Sequence, residues 1–359
     1  MRTRTRLIAA AAAVAVLAGG VLLRPPAPRL AAERTGDATI AQWLSEQAGG
    51  TRDRLVAAVV TPDGIRFAGL GADEGTEVEI GSVTKTMTAL LLAQSADAGT
   101  VALDDRAGDH AELGGFDGTL EELASHRSGL PRLSSAPLDL AATLVAQLRG
   151  VDPYATFSPD DVLRQAASAG GGGTDEAAYS NLGVAVLGQT LARAEGADYA
   201  DLVQERIFAP LGMTGSSVPV SADTLAPDAP TGYSESGRSV GPWTLEGYAP
   251  AGGVRSTAED MARYARALLI DDPALGVPAA TVLDPRFDAG DGDRIGLAWF
   301  TSAAEGGSTT WHNGGTAGYA TMLAMDRERG VAVFVNSTTA TSVDALGLDL
   351  LAHVLEGEA

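Results

Sequence analysis

The sequence predicts an α/β fold of the α+β kind. We expect an antiparallel sheet flanked by helices, built from both ends of the chain, with an inserted and mostly helical region. Extended apolar segments near both ends and helical periodicity in the middle predict this arrangement. In addition, a chain of 359 residues that is 45% hydrophobic and 20% charged has the size and composition of a globular protein with a full core.

The elements follow from the local pattern. The first part of the chain predicts a linker at 24–37, a helix at 40–47, a hairpin of strands at 55–60 and 65–70, a strand at 78–80 and a helix from 81 to 99. The middle predicts helices at 120–125, 138–148, 159–169, 182–194 and 199–208. The last part predicts strands at 308–311, 319–325 and 331–336, and a helix at 343–356.

These elements suggest a division of the chain into two regions. Residues 36–105 and 245–359 form the sheet-containing α/β region, and residues 106–244 form the mostly helical region. Because ligand sites commonly lie in clefts between such parts, we expect the functional site at their boundary.

Residues 1–32 are predicted to be a signal peptide or an N-terminal anchor. Three arginines in the first six residues precede an uncharged apolar run at 7–23, which Arg24-Pro25-Pro26 ends. This run is at the short limit for a membrane span. We therefore expect a secreted or extracytoplasmic protein that contacts the membrane only if this segment is retained.

Composition excludes several classes of function. The chain has no cysteine, which rules out disulfide scaffolds, thiol catalysis and Cys-ligated metals. Its formal net charge of −21 argues against nucleic-acid binding, because a phosphate backbone requires a basic face. Lys85 is the only lysine among 25 basic residues, which indicates a position that needs an amine rather than a guanidinium.

Ser82-Val83-Thr84-Lys85 places a hydroxyl in the first turn of a predicted helix and an amine three residues later, on the same face. A neutral amine can take the serine proton, whereas a guanidinium cannot. To act as a base near pH 7, Lys85 needs a pKa lowered from about 10.4 to roughly 7–8, which burial and a neighbouring cation achieve. Taken alone, the segment also fits a helix-capping serine and a solvated lysine.

Two other segments carry candidate catalytic groups. In residues 179–181 (Tyr-Ser-Asn), the tyrosine hydroxyl can relay a proton and the asparagine can hold Lys85 and a substrate carbonyl. Residues 311–315 (Trp-His-Asn-Gly-Gly) end an extended segment, and a backbone N–H there can form an oxyanion hole with that of Ser82. Each segment alone also fits a structural role, as a helix cap with a packed tyrosine or as a glycine turn.

Together and in this order, the three segments resemble the S-x-x-K, Y-x-N and [K/H]-x-G boxes of penicillin-recognising serine hydrolases. That family includes class C β-lactamases, D-alanyl-D-alanine carboxypeptidases, D-aminopeptidases and related esterases. The resemblance extends from about residue 40 to the C-terminus and includes segments 125–131, 210–213, 251–257 and 296–299. It implies a β-lactamase/transpeptidase-like fold. In the third box, this chain has histidine at position 312. This residue resembles the D-alanyl-D-alanine carboxypeptidases rather than the β-lactamases, which have lysine at that place in the box.

The resemblance implies a role for each matching residue. Ser82 is the acylating nucleophile, Lys85 its base and Tyr179 a proton relay, while Asn181 orients Lys85 and the substrate amide and His312 is an electrostatic or hydrogen-bonding partner near Tyr179. The remaining implied site residues are the oxyanion-hole pair Ser82 and Gly315 and the substrate contacts Asn313, Gly314, Thr316 and Tyr319. The implied mechanism passes through an acyl-enzyme and uses no metal or cofactor.

The sequence departs from the family pattern in two places. Four glycines at 170–173 stand where Pro-Gly usually precedes the second box. Carboxypeptidases of the family hold the terminal carboxylate of the substrate with hydroxyls and a basic residue near the third box, yet residues 300–305 contain no Arg or Lys. This favours an amidase or esterase with a less anionic substrate, unless a protonated His312 or Arg294 supplies the charge.

We therefore expect a secreted serine hydrolase that acts on amide or ester bonds of a D-amino-acid peptide, an ester or a β-lactam. Its partner is a small-molecule or peptide substrate, including cell-wall peptide. The alternative is a catalytically silent penicillin-binding or cell-wall-binding module, against which the intact Ser82, Lys85 and Tyr179 argue. Of the remaining histidines, none of which has metal-ligand spacing, His126 is interpreted as fixing a loop beside the site.

Overall fold

The structure, a computed structural model, describes residues 27–149, 151–219, 224–225, 229–304 and 306–357. Most of the predicted signal peptide or anchor at 1–32 lies outside these residues, so the expected localisation stays a prediction. In the part of the chain that is described, no helix is both long and apolar enough to cross a membrane.

The described strands form one large antiparallel sheet and two short strand pairs. The strands are β1 (Arg34–Gly36), β2 (Leu55–Thr61), β3 (Gly64–Leu70), β4 (Val78–Glu79), β5 (Gly232–Tyr233), β6 (Ser239–Val240), β7 (Arg255–Ser256), β8 (Phe287–Gly290), β9 (Asp293–Ile295), β10 (Phe300–Ala304), β11 (Gly307–Gly315), β12 (Ala320–Asp326) and β13 (Val331–Ser337). The large sheet has the order β1-β3-β2-β13-β12-β11-β10-β9-β8, while β4 pairs with β7 and β5 with β6. Pairing of β2 with β13, with Ala58 opposite Phe334, joins the two ends of the chain.

Helices cover both faces of the large sheet. They are α1 (Ala38–Gln47), α2 (Thr84–Asp97), α3 (Leu120–Ala124), α4 (Pro137–Arg149), α5 (Pro159–Ala169), α6 (Asn181–Glu195), α7 (Tyr199–Val203), α8 (Ala209–Leu211), α9 (Ala249–Gly252), α10 (Ala258–Ile270), α11 (Ala280–Leu283) and α12 (Asp344–Leu355). Local signals explain several boundaries. Asp37 caps α1, Ser158 begins α5 with a capping box, and Gly196 ends α6 in the left-handed conformation.

Strand β2 shows why the core has two layers. Its residues are apolar without interruption, and they alternate between two hydrophobic clusters. Val56, Ala58 and Val60 face the cluster that contains α2, α6 and α10, whereas Leu55, Ala57 and Val59 face the cluster that contains α1 and α12. An unbroken apolar strand is expected when both faces of a sheet are covered.

The predicted fold class is confirmed, whereas three local predictions are wrong. The supposed linker contains strand β1 and the cap of α1. Strands β8 to β10 were not predicted, because they are short, partly exposed and polar at the edge of the sheet. The predicted helix at 199–208 ends at Val203 and continues as a π-helical turn over Gln204–Phe208. The division of the chain into a sheet-containing and a mostly helical region, with boundaries after residue 105 and before residue 245, stays a prediction.

Candidate active site

The nucleophile lies on a tight turn between the sheet and α2. Ser82 is in the 3₁₀ turn Gly81–Val83, directly before Thr84 begins α2. Gly81 has a φ of 50°, and a Cβ there would lie 2.6 Å from the backbone nitrogen of Gly315. The turn therefore requires glycine, for its left-handed backbone and for the close approach of β11.

Lys85 is placed to act on Ser82. Its Nζ lies 2.9 Å from Ser82 Oγ and donates to the carbonyl of Ala251 at 2.6 Å. The side chain is completely buried. Burial, reinforced by the charge of Arg132, holds the pKa of Lys85 well below its usual value. The amine is thereby moved towards the neutral form that a base requires.

Tyr179 lies beside this pair as a protonated phenol. Its ring centroid is 4.9 Å from Lys85 Nζ, and Ser82 lies close enough to influence the pKa of its hydroxyl. Burial raises the pKa of Tyr179 to about 12. At neutral pH the hydroxyl therefore carries its proton and can donate it to a leaving group.

A loop that includes His126 and Arg132 holds the second box in place. The carbonyl of His126 accepts from Ala178 N at 2.7 Å, and its Nδ1 accepts from Ser180 N at 3.3 Å. Further along, the Arg132 carbonyl accepts from Asn181 N at 3.1 Å. These bonds bracket Tyr179 on both sides, and the tilted His126 ring lies 4.4 Å from the tyrosine ring. The structure thus places His126 beside the site, as the sequence analysis expected.

His312 lies on β11 and is buried completely. Its Nδ1 lies 2.6 Å from the carbonyl oxygen of Asn313, so the ring donates there. Burial, followed by the nearby charge of Lys85, lowers the pKa of His312 to about 3. Of the two open sources of positive charge, His312 is neutral near pH 7, and Arg294 is an exposed residue of β9 whose guanidinium bonds the Arg286 carbonyl.

The end of β11 makes backbone contact with the nucleophile turn. A Cβ on Gly314 would lie 2.1 Å from the carbonyl oxygen of Ile80 and 3.0 Å from the nitrogen of Ser82. Together with the contact between Gly81 and Gly315, this packs against each other the two segments that carry the Ser82 and Gly315 N–H groups, the expected oxyanion-hole donors. Two such donors can stabilise a developing oxyanion.

These elements surround a cleft of about 440 Å³. Among the predicted site residues, those that line it are Ser82, Tyr179, Asn181, Asn313, Gly314 and Gly315. The amine of Lys85 is bound by Ser82 and Ala251 rather than by Asn181, whose buried Oδ1 has no hydrogen-bond partner among the described residues.

Thr316 and Tyr319 were expected to contact substrate, and neither is among the lining residues of this cleft. Tyr319 is 2% exposed, and its hydroxyl donates to the Pro230 carbonyl. The Thr316 hydroxyl accepts from Tyr319 N at 3.2 Å and from Gly318 N at 3.3 Å. Both side chains are thus occupied in structural bonds, and their contact with substrate stays a prediction.

Two charged residues that were not predicted from the sequence also line this cleft. Arg132 immediately follows the matching segment 125–131, and Asp344 is the first residue of α12. Their positions in the chain give no signal of proximity to Ser82. In the described parts of the chain, no group of three or more His, Cys, Asp or Glu is placed to hold a metal ion.

The comparisons with known proteins show the family of this chain. The sequence profile of the family described as Beta-lactamase matches residues 40–356. The chain belongs to the β-lactamase family. It is 30% identical over 282 residues to the D-alanyl-D-alanine-carboxypeptidase/endopeptidase AmpH of Escherichia coli, covering 72% of this chain and 70% of that protein. Members of this family to which it is similar are serine hydrolases, and this chain is an enzyme of that class.

Other similarities are to proteins of different length and activity. Beta-lactamase-like protein 2 of Dictyostelium discoideum is 29% identical over 293 residues, covering 73% of this chain but only 50% of that relative, so the chain spans half its length. The structure of a beta-lactamase/D-alanine carboxypeptidase from Yersinia pestis has a TM-score of 0.71 and 25% identity, covering 88% of this chain and 98% of that one. The octameric penicillin-binding protein homologue of Pyrococcus abyssi, at 20% identity and a TM-score of 0.74, covers 89% and 76% and shows the shared fold.

Proposed function

We propose that this β-lactamase-family hydrolase cleaves amide or ester bonds of D-amino-acid peptides or related esters, outside the cytoplasm, through an acyl-enzyme on Ser82. The observation that carries the proposal is the buried Lys85 amine, 2.9 Å from Ser82 Oγ and next to a protonated Tyr179. The basic and apolar N-terminal sequence supports export.

Acylation begins when the neutral Lys85 amine takes the Ser82 hydroxyl proton and Oγ attacks the substrate carbonyl. The carbonyl oxygen becomes an oxyanion between the N–H groups of Ser82 and Gly315. As the tetrahedral intermediate collapses, the bond to the leaving group breaks and Tyr179 gives its proton to that group. The phenolate then recovers a proton from the Lys85 ammonium, which returns both residues to their starting states.

Hydrolysis of the acyl-enzyme uses the same groups. A water molecule loses a proton to the neutral Lys85 amine as it attacks the ester carbonyl, and Ser82 Oγ receives that proton when the acyl bond breaks. Because His312 stays neutral, Lys85 is the buried residue that takes up a proton and becomes charged during this cycle.

The substrate class is supported by the relatives. AmpH is named as a D-alanyl-D-alanine-carboxypeptidase/endopeptidase, and a D-stereospecific amidohydrolase from Streptomyces shares the fold with a TM-score of 0.71 and 21% identity, covering 87% of this chain and 97% of that one. The first name specifies D-alanyl-D-alanine and the second D-stereospecific cleavage of amides, and this is the support for a D-amino-acid substrate.

Burst kinetics with a p-nitrophenyl ester and a chromogenic cephalosporin test the proposal, on the wild type, Ser82→Ala and the control Ser45→Ala, a serine exposed on α1. We expect a burst and steady turnover of the ester, lost in Ser82→Ala and kept in Ser45→Ala. Stable labelling without turnover would support the silent binding module. If no reagent acylates the wild type, the nucleophile assignment is wrong.

A further inference from the structure

One wall of the cleft is apolar and is formed by two segments that are distant in the chain. Tyr154 follows α4, whereas Trp243 and Leu245 precede α9, and all three residues line the cleft. The rings of Tyr154 and Trp243 meet edge to face, with their centroids 5.3 Å apart. Tyr154 and Leu245 are buried, and Trp243 is half-buried. We call these three residues the apolar wall.

Asp152 joins the two segments of the apolar wall through its carboxylate. Its Oδ1 accepts from Tyr154 N at 2.8 Å, and its Oδ2 accepts from Thr244 N and from Leu245 N, both at 2.8 Å. The residue is 7% exposed, and burial raises the pKa of its carboxyl while these backbone hydrogen bonds oppose the rise. Because hydrogen bonds to a carboxylate are short and strong, Asp152 fixes the distance between the two segments.

The backbone of the second segment is strained at the cleft. Leu245 has a φ of 57° and Glu246 a φ of 42°, which are left-handed values that residues other than glycine rarely adopt. Such a conformation persists only where the surrounding structure enforces it. Asp152 enforces it by its bond to Leu245 N, and the buried Glu79 holds the residue two positions earlier, since its Oε1 accepts from Trp243 N at 2.9 Å.

The result of this arrangement is the position of two side chains next to the candidate nucleophile. Backbone strain of this kind is concentrated at active sites and ligand clamps. Here the strained residue, Leu245, lines the same cleft as Ser82. A substrate group that covers Trp243 and Leu245 removes apolar surface from water, which favours binding of an apolar group at this wall.

We propose that Asp152 is a positioning residue of this hydrolase, which sets the apolar wall so that it binds an apolar group of the substrate. The inference rests on the proposed function and narrows it to substrates that carry such a group next to the scissile bond. Asp152 is not among the residues that line the described cleft, so it acts on the substrate through Tyr154 and Leu245.

The test compares phenyl acetate with two larger esters, phenyl phenylacetate and 1-naphthyl acetate. These enlarge the acyl part and the leaving group, so the comparison covers both sides of the scissile bond and shows which side meets the wall. We expect the wild type to favour at least one of the larger esters by about tenfold or more in kcat/KM, mainly through a lower KM, since one methylene in an apolar pocket is already worth about tenfold. Each rate is corrected for the reactivity of the ester with hydroxide.

Asp152→Ala removes all three hydrogen bonds and should lower this preference about tenfold, to near parity, with most of the loss in KM. Asp152→Asn keeps one carbonyl oxygen as an acceptor and should restore part of the preference. Asp201→Ala, at an exposed aspartate of α7, is the matched control and should keep it in full. A loss of stability alone lowers the activity on all three esters by the same factor, so it leaves the ratio unchanged.

Trp243→Ala provides the second measurement, because it removes a side chain of the wall directly. It should lower the same ratio, and the double variant with Asp152→Ala should lose little more than either single variant, since both changes act on one wall. Additive losses would show that Asp152 acts elsewhere and would contradict its positioning role. If Asp152→Ala does not fold, Asp152→Asn and its combination with Trp243→Ala decide the question in the same way.

The outcomes separate this inference from the proposed function. Hydrolysis of the three esters with no preference among them, or a preference that is unchanged in the Asp152 variants, would overturn the inference and leave the hydrolase intact. Absence of any Ser82-dependent acylation would overturn the proposed function itself.

Discussion

Substitution of Gly314 by alanine tests whether the third box and the nucleophile turn form one oxyanion site. Gly314 pairs with Thr321 on β12 and approaches the nucleophile turn on its other side. An added Cβ would lie 2.1 Å from the carbonyl oxygen of Ile80, and both partners of this contact are backbone. The clash is therefore relieved only by moving β11 away from Ser82.

The size of the effect follows from that displacement. To restore an ordinary contact, the two backbones must separate by about 1 Å, and a misplacement of this size at an active site costs about 10²-fold in rate. Loss of one oxyanion donor has a similar effect, about 10² to 10³ in kcat. We expect Gly314→Ala to lower kcat by two to three orders of magnitude, with a smaller change in KM.

The measurement is steady-state and burst kinetics on a p-nitrophenyl ester, together with thermal unfolding. Gly315→Ala is the comparison, because a Cβ there meets only Tyr319 O at 3.9 Å and the residue keeps its N–H. Its loss should be clearly smaller than that of Gly314→Ala. If Gly314→Ala folds normally and stays within threefold of the wild type, the two backbones do not form the oxyanion site.

Three other predictions follow from the buried charges. Lys85→Arg should lower the acylation rate on the same ester at least 10³-fold at pH 7, because the guanidinium stays protonated; rapid acylation would contradict Lys85 as the base. The pKa of His312 is lowered from 6.5 to about 3, so the unfolded chain takes up the proton first and the free energy of unfolding should fall as the pH drops from 6.5 towards 3. Denaturant titrations should show a shallower fall for His312→Asn. Arg255→Met leaves the buried carboxyl of Glu79 without its partner and should cost about 3–5 kcal/mol in the free energy of unfolding, measured by urea denaturation, whereas a loss below 1 kcal/mol would contradict the pairing.

The sequence pattern predicted those parts of the fold whose signals are local. The turn after Thr61 and the apolar run of β2 predicted the first hairpin, and the Ser158 capping box marks the start of α5 within one residue of the prediction. Strands β8 to β10 were not predicted, because these edge strands lack both the alternation of apolar and polar residues and a long apolar run. Their existence depends on the neighbouring strand β11, which local periodicity does not report.

The site was predictable as far as its members lie within three short segments. Ser82, Lys85 and Tyr179 come together as their spacing and order suggested. The carbonyl of Ala251 and the charges of Arg132 and Asp344 were missed, because only the tertiary fold brings them to the nucleophile. The charge of His312 was misjudged for another reason. Alternate residues of β11, Thr310 and His312, are buried in the core. Burial, rather than the fact that the residue is a histidine, decides the protonation of the His312 ring.

The single lysine of the chain is explained by how α2 is buried. Both causes that shift the pKa of Lys85, burial and the charge of Arg132, act in the same direction, and no carboxylate is among them. An arginine at this position would keep its charge in a desolvated place, at a cost that no nearby acid offsets.

The same desolvation governs the neighbouring rings. Burial and the charge of Lys85 lower the pKa of both His126 and His312, so the three basic groups compete for positive charge within one dry pocket. A proton taken from Ser82 would therefore enter a place where it is poorly stabilised, and the neighbouring Tyr179 would give it a route to the leaving group. In the proposed mechanism, desolvation thus prepares Lys85 as the base and also drives the proton onward, so the lysine needs no acidic partner.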